Sequence, residues 1–456
     1  MLLPAVCLIA GIIIGEYVTA ELPLLPIFIG SVMAALLLWK YELLQSGAIM
    51  VCLVMLGWLL MSWQKESLTA EWPDGEVRYE AVVMSEPVEK PKTMAVDILL
   101  TANGRKLKCY LYKDDRSRNL RIGDGLKIQS RIQDDRTFVA SWKWQKAEIS
   151  LSNLSRLERT RLFFLQLRSR LLSRLRPHLT DSDAYAVIAA MTLGDKSALT
   201  SDVKDVYSVT GASHVLALSG LHLGIIYSLL SLFVYSRRWQ MASQVLLILS
   251  IWAFVFLVGM TTSVVRSAVM LSVYALMSLG KRDRMSVNTL AFTAIVMLMV
   301  SPMSLFDVGF QMSYLAVLSI LLVLPLMEGL VSRAYLMDHR FLKWGYGLIG
   351  VSLAAQIGVA PLIAYYFGRF STYFLLTNFI VIPTATLILY SSMVVLAVPA
   401  LAYILLYMVS GLNAVLAWVS TIPGASIEGL HPTILQTAMI YVIIAAVYLL
   451  IVRLRR

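Results

Sequence analysis

Three features are scarce in this 456-residue chain, and each shortage excludes a class of protein. Only three cysteines are present, two in hydrophobic stretches and one in a polar region, so we expect neither a disulfide framework nor a cysteine-type metal site. Charged residues make up 15% of the chain and hydrophobic residues 58%, a balance too apolar for a soluble globular protein. The sequence has no P-loop motif of the form GxxxxGK followed by Ser or Thr, so any ATP-driven motor has to be a separate protein.

The hydrophobic residues are concentrated in long stretches that predict membrane spans. The mean hydropathy is +0.73. A helix needs about 20 predominantly apolar residues to cross a bilayer. The chain is therefore predicted to be a polytopic α-helical membrane protein with about 12 transmembrane helices. They are expected at about 2–20, 24–39, 47–63, 213–236, 243–259, 262–280, 286–300, 310–327, 345–367, 374–397, 400–420 and 436–452.

A polar region with a strand-like pattern separates the third predicted span from the fourth. Apolar residues alternate at positions 77 to 83 and again at 107, 109 and 111, which predicts about five strands. We expect residues 64–150 to form a small external β-barrel of the OB-fold type. The intervening bases and aromatics suit a stacking platform for single-stranded nucleic acid, although an ordinary solvated sheet face explains the same pattern. These DNA-binding candidates are Lys106, Lys108, Tyr110, Tyr112, Trp142 and Trp144.

Residues 151–180 predict a basic amphipathic helix at the membrane interface. The segment holds seven arginines and one glutamate, and apolar residues such as Leu157 and Leu172 share one helical face. Arg161 and Arg168 intrude on that apolar face. We expect them either to extend to lipid headgroups or to contact nucleic-acid phosphates.

The rest of the chain is arranged around residues 194–224, a polar, glycine-punctuated passage that leads into a hydrophobic span. Ser213, His214, Ser219 and His222 lie close together there, and unsatisfied polar groups in hydrocarbon cost several kcal/mol each. A separation of eight residues places the two imidazoles about 80° apart around a helix, which is a poor spacing for metal ligands. Two interpretations stay open: hydrogen-bonded packing histidines, or side chains that line a pore. We expect no metal and no cofactor.

Other polar residues fall inside or beside the predicted spans. Arg266 is the clearest intramembrane charge, and an ionisable residue there is a functional candidate. Asp307 is a candidate partner. A buried pair would be structural, whereas an unpaired Arg266 facing water would serve an anion. Gln311 and Asn378 are further pore candidates, although such residues usually make hydrogen bonds between helices.

Basic residues in alternate loops predict the orientation in the membrane. If these loops are cytoplasmic, the C-terminus is cytoplasmic and the β domain is outside. The β domain and the arginine-rich helix hold much of the net charge of +11, and an external basic surface favours a polyanion, anionic lipids or both. The predicted cytoplasmic bases are Arg237, Arg238, Lys281, Arg282, Arg284, Arg333, Arg340, Lys343, Arg453, Arg455 and Arg456.

Four passages together resemble the ComEC family of bacterial competence DNA-uptake channels. They are LGDKSALTSDVKDVYSVTGASHVLALSGLHLG, TTSVVRSAVM, FDVGFQMSYLAVLSI and APLIAYYFGRFSTYFLLTNFIVIP, in the family's order and within about 185–400. The resemblance implies passage of a single DNA strand through the bacterial inner membrane during natural transformation, with the external domain receiving the strand. Residues 1–63 are then N-terminal transmembrane helices, and 181–456 are the channel domain.

Many relatives in that family also carry a C-terminal metallo-β-lactamase-like domain. This chain stops at Arg456, and its five histidines are too dispersed for an HxHxDH zinc motif. We therefore expect a short form without nuclease or other enzymatic activity. The expected partners are single-stranded DNA and membrane lipids, together with a DNA receptor, a separate nuclease and a cytoplasmic motor.

Two other classes of function fit the residues less well. A secondary transporter of a small anion or a lipid-linked precursor would form its site from broken helices at 211–224 and 358–368, but no inverted repeat is visible. An intramembrane enzyme using His214 or His222 as a base lacks a nearby nucleophile and acid.

Overall fold

A computed structural model describes the chain except residues 19–22, 70–71, 73–74, 134, 150–153, 235–238, 280–285, 332–334, 336–337 and 456. Within the described residues, the chain forms a bundle of apolar helices with one curled β-sheet inserted after the third helix. Some of the predicted cytoplasmic bases lie outside the described residues, namely Arg237, Arg238, Lys281, Arg282, Arg284, Arg333 and Arg456.

Three N-terminal helices precede the sheet, and the first packs closely against the third. They are α1 (Leu2–Tyr17), α2 (Leu24–Leu37) and α3 (Glu42–Thr69). A Cβ added to Gly11 would lie 2.0 Å from the carbonyl oxygen of Val54, and one added to Gly57 would lie 2.4 Å from that of Leu8. Glycine is therefore needed at both positions, because the two backbones touch, as is common between membrane helices.

The inserted sheet is built from eight strands with a mostly antiparallel arrangement. The strand order is β6-β7-β4-β3-β1-β5-β8, with β2 paired to β3. Strands β4 and β7 run parallel, whereas the other paired strands are antiparallel. The strands are β1 (Val77–Val83), β2 (Val88–Glu89), β3 (Thr93–Leu100), β4 (Lys106–Tyr112), β5 (Gly125–Ser130), β6 (Ile132–Gln133), β7 (Arg136–Val139) and β8 (Trp144–Ala147), with α4 (Asp115–Arg118) after β4.

The inner face of the sheet is the core of this domain. Leu107, Cys109 and Leu111 are buried on β4, as the alternation predicts, and they pack with residues such as Ile98 and Leu126. Burial raises the pKa of the Cys109 thiol to about 12. This thiol is therefore protonated and unreactive near neutral pH.

After the sheet, α5 (Arg156–Leu175) and a 3-10 turn lead into the main bundle. Its helices are α6 (Ser182–Leu193), α7 (Ser201–Val209), α8 (Ser213–Leu216), α9 (Gly220–Val234), α10 (Gln240–Val258), α11 (Thr262–Leu279), α12 (Val287–Val300), α13 (Val308–Glu328), α14 (Arg340–Phe367), α15 (Phe374–Ala397), α16 (Ala402–Thr421) and α17 (Ile434–Leu454). Two short antiparallel strands, β9 (Arg369–Ser371) and β10 (Ser426–Glu428), join the loop after α14 to the loop after α16.

Seven of the described helices are long and apolar enough to cross a membrane: α3, α10, α13, α14, α15, α16 with its preceding 3-10 turn, and α17. Six shorter apolar helices accompany them: α1, α2, α6, α9, α11 and α12. The chain is thus a mostly helical, polytopic membrane protein, and the number of about 12 spans stays a prediction. The single span predicted at 213–236 is wrong, because the chain breaks at 217–219 between α8 and α9.

Five helices of the main bundle pack in a closed circuit, which we call the helix ring. Around it α9 packs against α11, α11 against α13, α13 against α14, α14 against α15, and α15 against α9. The tightest contact joins α13 and α14. There a Cβ on Gly358 would lie 2.6 Å from the Leu315 carbonyl oxygen, and the Ser319 hydroxyl donates to the Ala354 carbonyl over 2.6 Å.

Gly358→Ala is expected to destabilise the ring, because the new methyl group cannot fit against the α13 backbone. Overpacking of this kind costs about 1–3 kcal/mol. Gly347→Ala is the matched control on the same helix, because no heavy atom lies within 4 Å of a Cβ there. Thermal unfolding in detergent should show a lower midpoint for the first variant only. Equal midpoints would show that the two helices do not approach so closely.

Candidate functional site

Two arginines of α5 fasten the sheet domain to the helix bundle. The Arg161 guanidinium donates to the Gly259 carbonyl over 3.1 Å, and that of Arg168 donates to the Val258 carbonyl over 3.0 Å. The two accepting carbonyls lie at the C-terminal end of α10. Carbonyls there lack intrahelical partners, and the helix dipole favours cations. Burial lowers the pKa of Arg168. Each guanidinium thus contacts a protein carbonyl, and the expected contact with headgroups or phosphates stays a prediction for both residues.

The apolar residues of α5 also face protein on two sides. Leu162 and Leu165 pack with sheet residues such as Leu99, whereas Leu172 packs with Leu193 of α6. Leu157, predicted on the apolar face, is 57% exposed. The helix α5 therefore packs between the sheet domain and the bundle, and its place at the membrane interface stays a prediction.

The outer face of the sheet carries an exposed aromatic cluster. Tyr110 stacks on Phe138 with ring centroids 4.8 Å apart and planes 14° apart. Tyr112 and Trp142 are also exposed. Trp144 was predicted to belong to this surface, and that prediction is wrong. It pairs with buried Ile128 across β5 and β8, so its side chain lies on the inner face and is 2% exposed.

Both predicted sheet lysines are exposed, Lys108 beside this cluster and Lys106 nearer the charges of Arg161 and Glu158 on α5. Burial and the neighbouring charge of Arg161 lower the pKa of Lys106. Lys106 is thus closer to the docking contact than to the open sheet surface.

Next to the aromatic cluster is a cavity of about 390 Å³ that the sequence interpretation missed. Arg131, Arg136 and Phe138 of its lining lie on or beside β6 and β7. These strands have two and four residues and are too short to show a periodic pattern. Lys143 forms an ion pair with Glu76 at its rim and lowers the pKa of that carboxyl. The lining residues are Glu76, Ser130, Arg131, Gln133, Arg136, Phe138 and Lys143.

The polar passage at 194–224 places its two histidines in different environments. His222 is fully buried in the first turn of α9, with its Nδ1 3.2 Å from the Ser219 hydroxyl. His214 in α8 contacts the Gly211 carbonyl through Nδ1 at 3.0 Å. Its side chain is exposed.

One face of α9 is lined by small residues. Ser228 is exposed, and a Cβ on Gly224 would meet no heavy atom within 4 Å. These residues are four apart, so they share one helical face. Ser213, next to His214, is also exposed. This face thus exposes small or polar residues, whereas α17 exposes large apolar ones.

Arg266 is paired in the structure. Its guanidinium lies 3.9 Å from the Asp307 carboxylate and donates to the Ser313 hydroxyl over 3.1 Å. Asp307 in turn caps α13 by accepting from the Phe310 amide over 3.1 Å. The backbone of Gly309 lies against the guanidinium, where a Cβ would be 3.1 Å from Nη2. This geometry fits the structural interpretation, in which Arg266 ties α11 to the start of α13.

Gln311 and Asn378 bond between elements of the bundle. Gln311 donates to the Leu305 carbonyl over 3.0 Å and accepts from the Tyr366 hydroxyl over 3.1 Å. Asn378 donates to the Ser352 hydroxyl over 3.4 Å. Within the described chain, no group of three His, Cys, Asp or Glu side chains is placed to hold a metal.

Six of the eight pore candidates lie in two groups at one end of the helix ring. Ser213, His214, Ser219 and His222 surround the α8–α9 break, while Arg266 and Asp307 join α11 to α13. A Cβ on Gly220 would lie 3.0 Å from the Ser267 hydroxyl, so the two groups are adjacent. The end of α10, where the sheet domain docks, precedes α11 at this same end.

Comparison with known proteins covers this part of the chain. The sequence profile described as Competence protein matches residues 191–454. The chain belongs to the Competence protein family. The resemblance drawn from the four passages is thereby confirmed. The Competence match contains the polar passage and the whole helix ring, whereas the sheet and α5 precede it.

Two relatives show how far the similarity extends. The chain is 30% identical over 249 residues to ComE operon protein 3 of Bacillus subtilis (strain 168), which covers 53% of this chain and 30% of that protein. It is also 30% identical over 236 residues to an uncharacterized protein of Aquifex aeolicus (strain VF5), covering 51% of this chain and 50% of that protein. The matched stretches thus span half or less of these relatives. No solved structure matches the chain.

Arg168→Gln is expected to loosen the docking of the sheet domain, because it removes a charge-assisted bond and leaves the Val258 carbonyl unpaired. A loss of this kind costs about 1.5–3 kcal/mol. Hydrogen exchange in the last turn of α10 should accelerate accordingly. Arg170→Gln is the control, because Arg170 is exposed on the same helix. If both variants exchange like the unaltered chain, the arginine contact does not fasten the domain.

Proposed function

We propose that this Competence family member passes single-stranded DNA through the bacterial inner membrane during natural transformation, by way of the helix ring. The observation that carries the proposal is the small polar face of α9 beside the exposed His214. A solvated strand needs such a face, because neither phosphates nor bases can shed water into lipid.

The sheet domain is proposed to lie outside and the C-terminus in the cytoplasm. Arg455 donates to the Leu326 carbonyl at the far end of α13, opposite to Asp307, and Arg340 and Lys343 begin α14 at that far end. An excess of bases at the end away from the sheet domain supports this orientation through the positive-inside rule.

The sheet is proposed to be an OB-like domain that receives the strand. Its curled order, with one parallel pair between β4 and β7, supports that class of small barrel. Bases of the strand stack on half-buried Tyr110 and on the exposed rings of Phe138 and Trp142, while Lys108 and Arg136 attract phosphates. Because counterions are released when DNA binds, the affinity of the sheet domain for single-stranded DNA should fall steeply as the salt concentration rises.

Within this proposal the chain is a conduit and performs no chemistry. Its intramembrane polar side chains bond to one another or face water, as in the pairs Ser219–His222 and Arg266–Asp307. Strand separation, degradation of the second strand and pulling are assigned to a DNA receptor, a nuclease and a cytoplasmic motor as separate partners. Membrane lipids surround the exposed apolar residues of α17.

Gly224→Trp tests the proposal by filling the open space beside α9. Gly411→Trp is the matched control, since Gly411 also has no heavy atom within 4 Å of a Cβ and lies outside the helix ring on α16. Transformation frequency in cells carrying only the altered gene should fall at least about tenfold for Gly224→Trp at equal chain abundance. Equal frequencies for the two variants would refute passage along this face.

A further inference from the structure

A single guanidinium joins three elements at the sheet end of the helix ring. Arg369 Nη1 lies 2.8 Å from the Asp205 carboxylate of α7 and donates to the Ser208 hydroxyl over 3.3 Å. Its Nη2 lies 2.8 Å from the Glu428 carboxylate of β10. We call these four residues the clasp. It ties α7 to the β9–β10 strand pair, which the proposed function does not use.

The clasp holds the segment that carries His214. Helix α8 follows α7 after Gly211, whose left-handed backbone (φ +78°) lets it lie against Ser371 of β9. A Cβ there would be 3.0 Å from that of Ser371. Because α7 is linked to α8 by this one turn, a displacement of α7 away from β9 moves His214 and Ser213. These two residues border the proposed path along α9, which we call the water-accessible space.

The ion pairs of the clasp are weaker than the buried contacts around them. The Asp205 and Glu428 carboxylates are 65% and 60% exposed. Exposed ion pairs contribute about 0–1 kcal/mol each because water and salt screen them. The inner side of α7 is held differently, by buried Tyr207, whose hydroxyl donates to Asn413 over 2.8 Å. This arrangement gives α7 a firm inner contact about which its exposed side can swing.

Arg369 can exchange its carboxylate partners for a phosphate of the proposed cargo. In the closed clasp each of its two terminal nitrogens faces a different carboxylate. A guanidinium donates to phosphate oxygens as it does to carboxylate oxygens. A DNA phosphate that engages Arg369 therefore competes with Asp205 and Glu428 for the same donors.

We propose that the clasp is a gate, which holds α7 and α8 over the water-accessible space until a DNA phosphate takes Arg369 from its two carboxylates. This inference rests on the proposed function, since it names how entry into the helix ring is controlled. The gate opens by exchange of ionic partners and needs no covalent step.

The test measures access to Ser213→Cys in the full-length chain in membranes, with Cys7, Cys52 and Cys109 replaced by alanine. A bulky, membrane-impermeant maleimide reports the open gate, and a small charged methanethiosulfonate reports water at the site. Arg369→Gln and the double variant Asp205→Asn with Glu428→Gln should each raise the maleimide rate about three- to tenfold. Lys127→Gln, which breaks the exposed pair with Glu80 in the sheet, is the control and should leave the rate unchanged.

Polyphosphate should raise the rate at which the maleimide labels the cysteine at position 213 when the clasp is unaltered, relative to sodium chloride of equal ionic strength. It should not raise this rate in Arg369→Gln. Equal maleimide rates in all clasp forms, with normal labelling by the small reagent, would overturn the gate and leave the proposed function standing. Absence of labelling by the small reagent in every form would overturn the water-accessible space itself and the gate with it. The two clasp variants alter opposite partners of the same ion pairs. Equal increases in their labelling rates therefore argue against misfolding of one variant as the cause of the faster labelling.

Discussion

The placement of the sheet domain depends on two arginine side chains that bind the last carbonyls of α10. A helix end leaves carbonyls unsatisfied, and Arg161 and Arg168 supply the missing donors at distances of 3.1 and 3.0 Å. Their partner lies about 90 residues downstream in the chain, so the contact joins two parts that the sequence keeps far apart. Because α10 leads directly into α11, it also fixes the basic sheet over the end of the helix ring where His214 is exposed.

Polar groups inside the bundle are accommodated in two ways. His222 and Arg266 are buried and bond to neighbouring side chains, which removes part of the cost of keeping them away from water. Ser213, His214 and Ser228 are exposed instead. The passage at 194–224 therefore holds one packed histidine, His222, and one exposed histidine, His214.

Periodicity predicted the features that depend on neighbouring residues, and it missed those set by distant partners. Alternation on β4 was enough to place Leu107 and Cys109 in the core. The burial of Trp144 required knowledge of its register with Ile128, which no local pattern contains. Likewise, no pattern within α5 shows that Arg161 meets Gly259. The break between α8 and α9 lies within 211–224, where the transporter alternative had already placed a broken helix.

The central claim is that α9 presents one face to water inside the helix ring. Single cysteines at positions 224 and 228, in a background without native cysteines, measure this directly through their rate of reaction with a small charged thiol reagent. Such reagents modify thiolates in water and not thiols in lipid or in packed protein. Rapid labelling of the cysteines at positions 224 and 228 is predicted, with slow labelling of cysteines that replace Leu223 and Ile226, because both of those residues are buried. Slow labelling at all four positions, or faster labelling at positions 223 and 226, would contradict a water-filled path along α9.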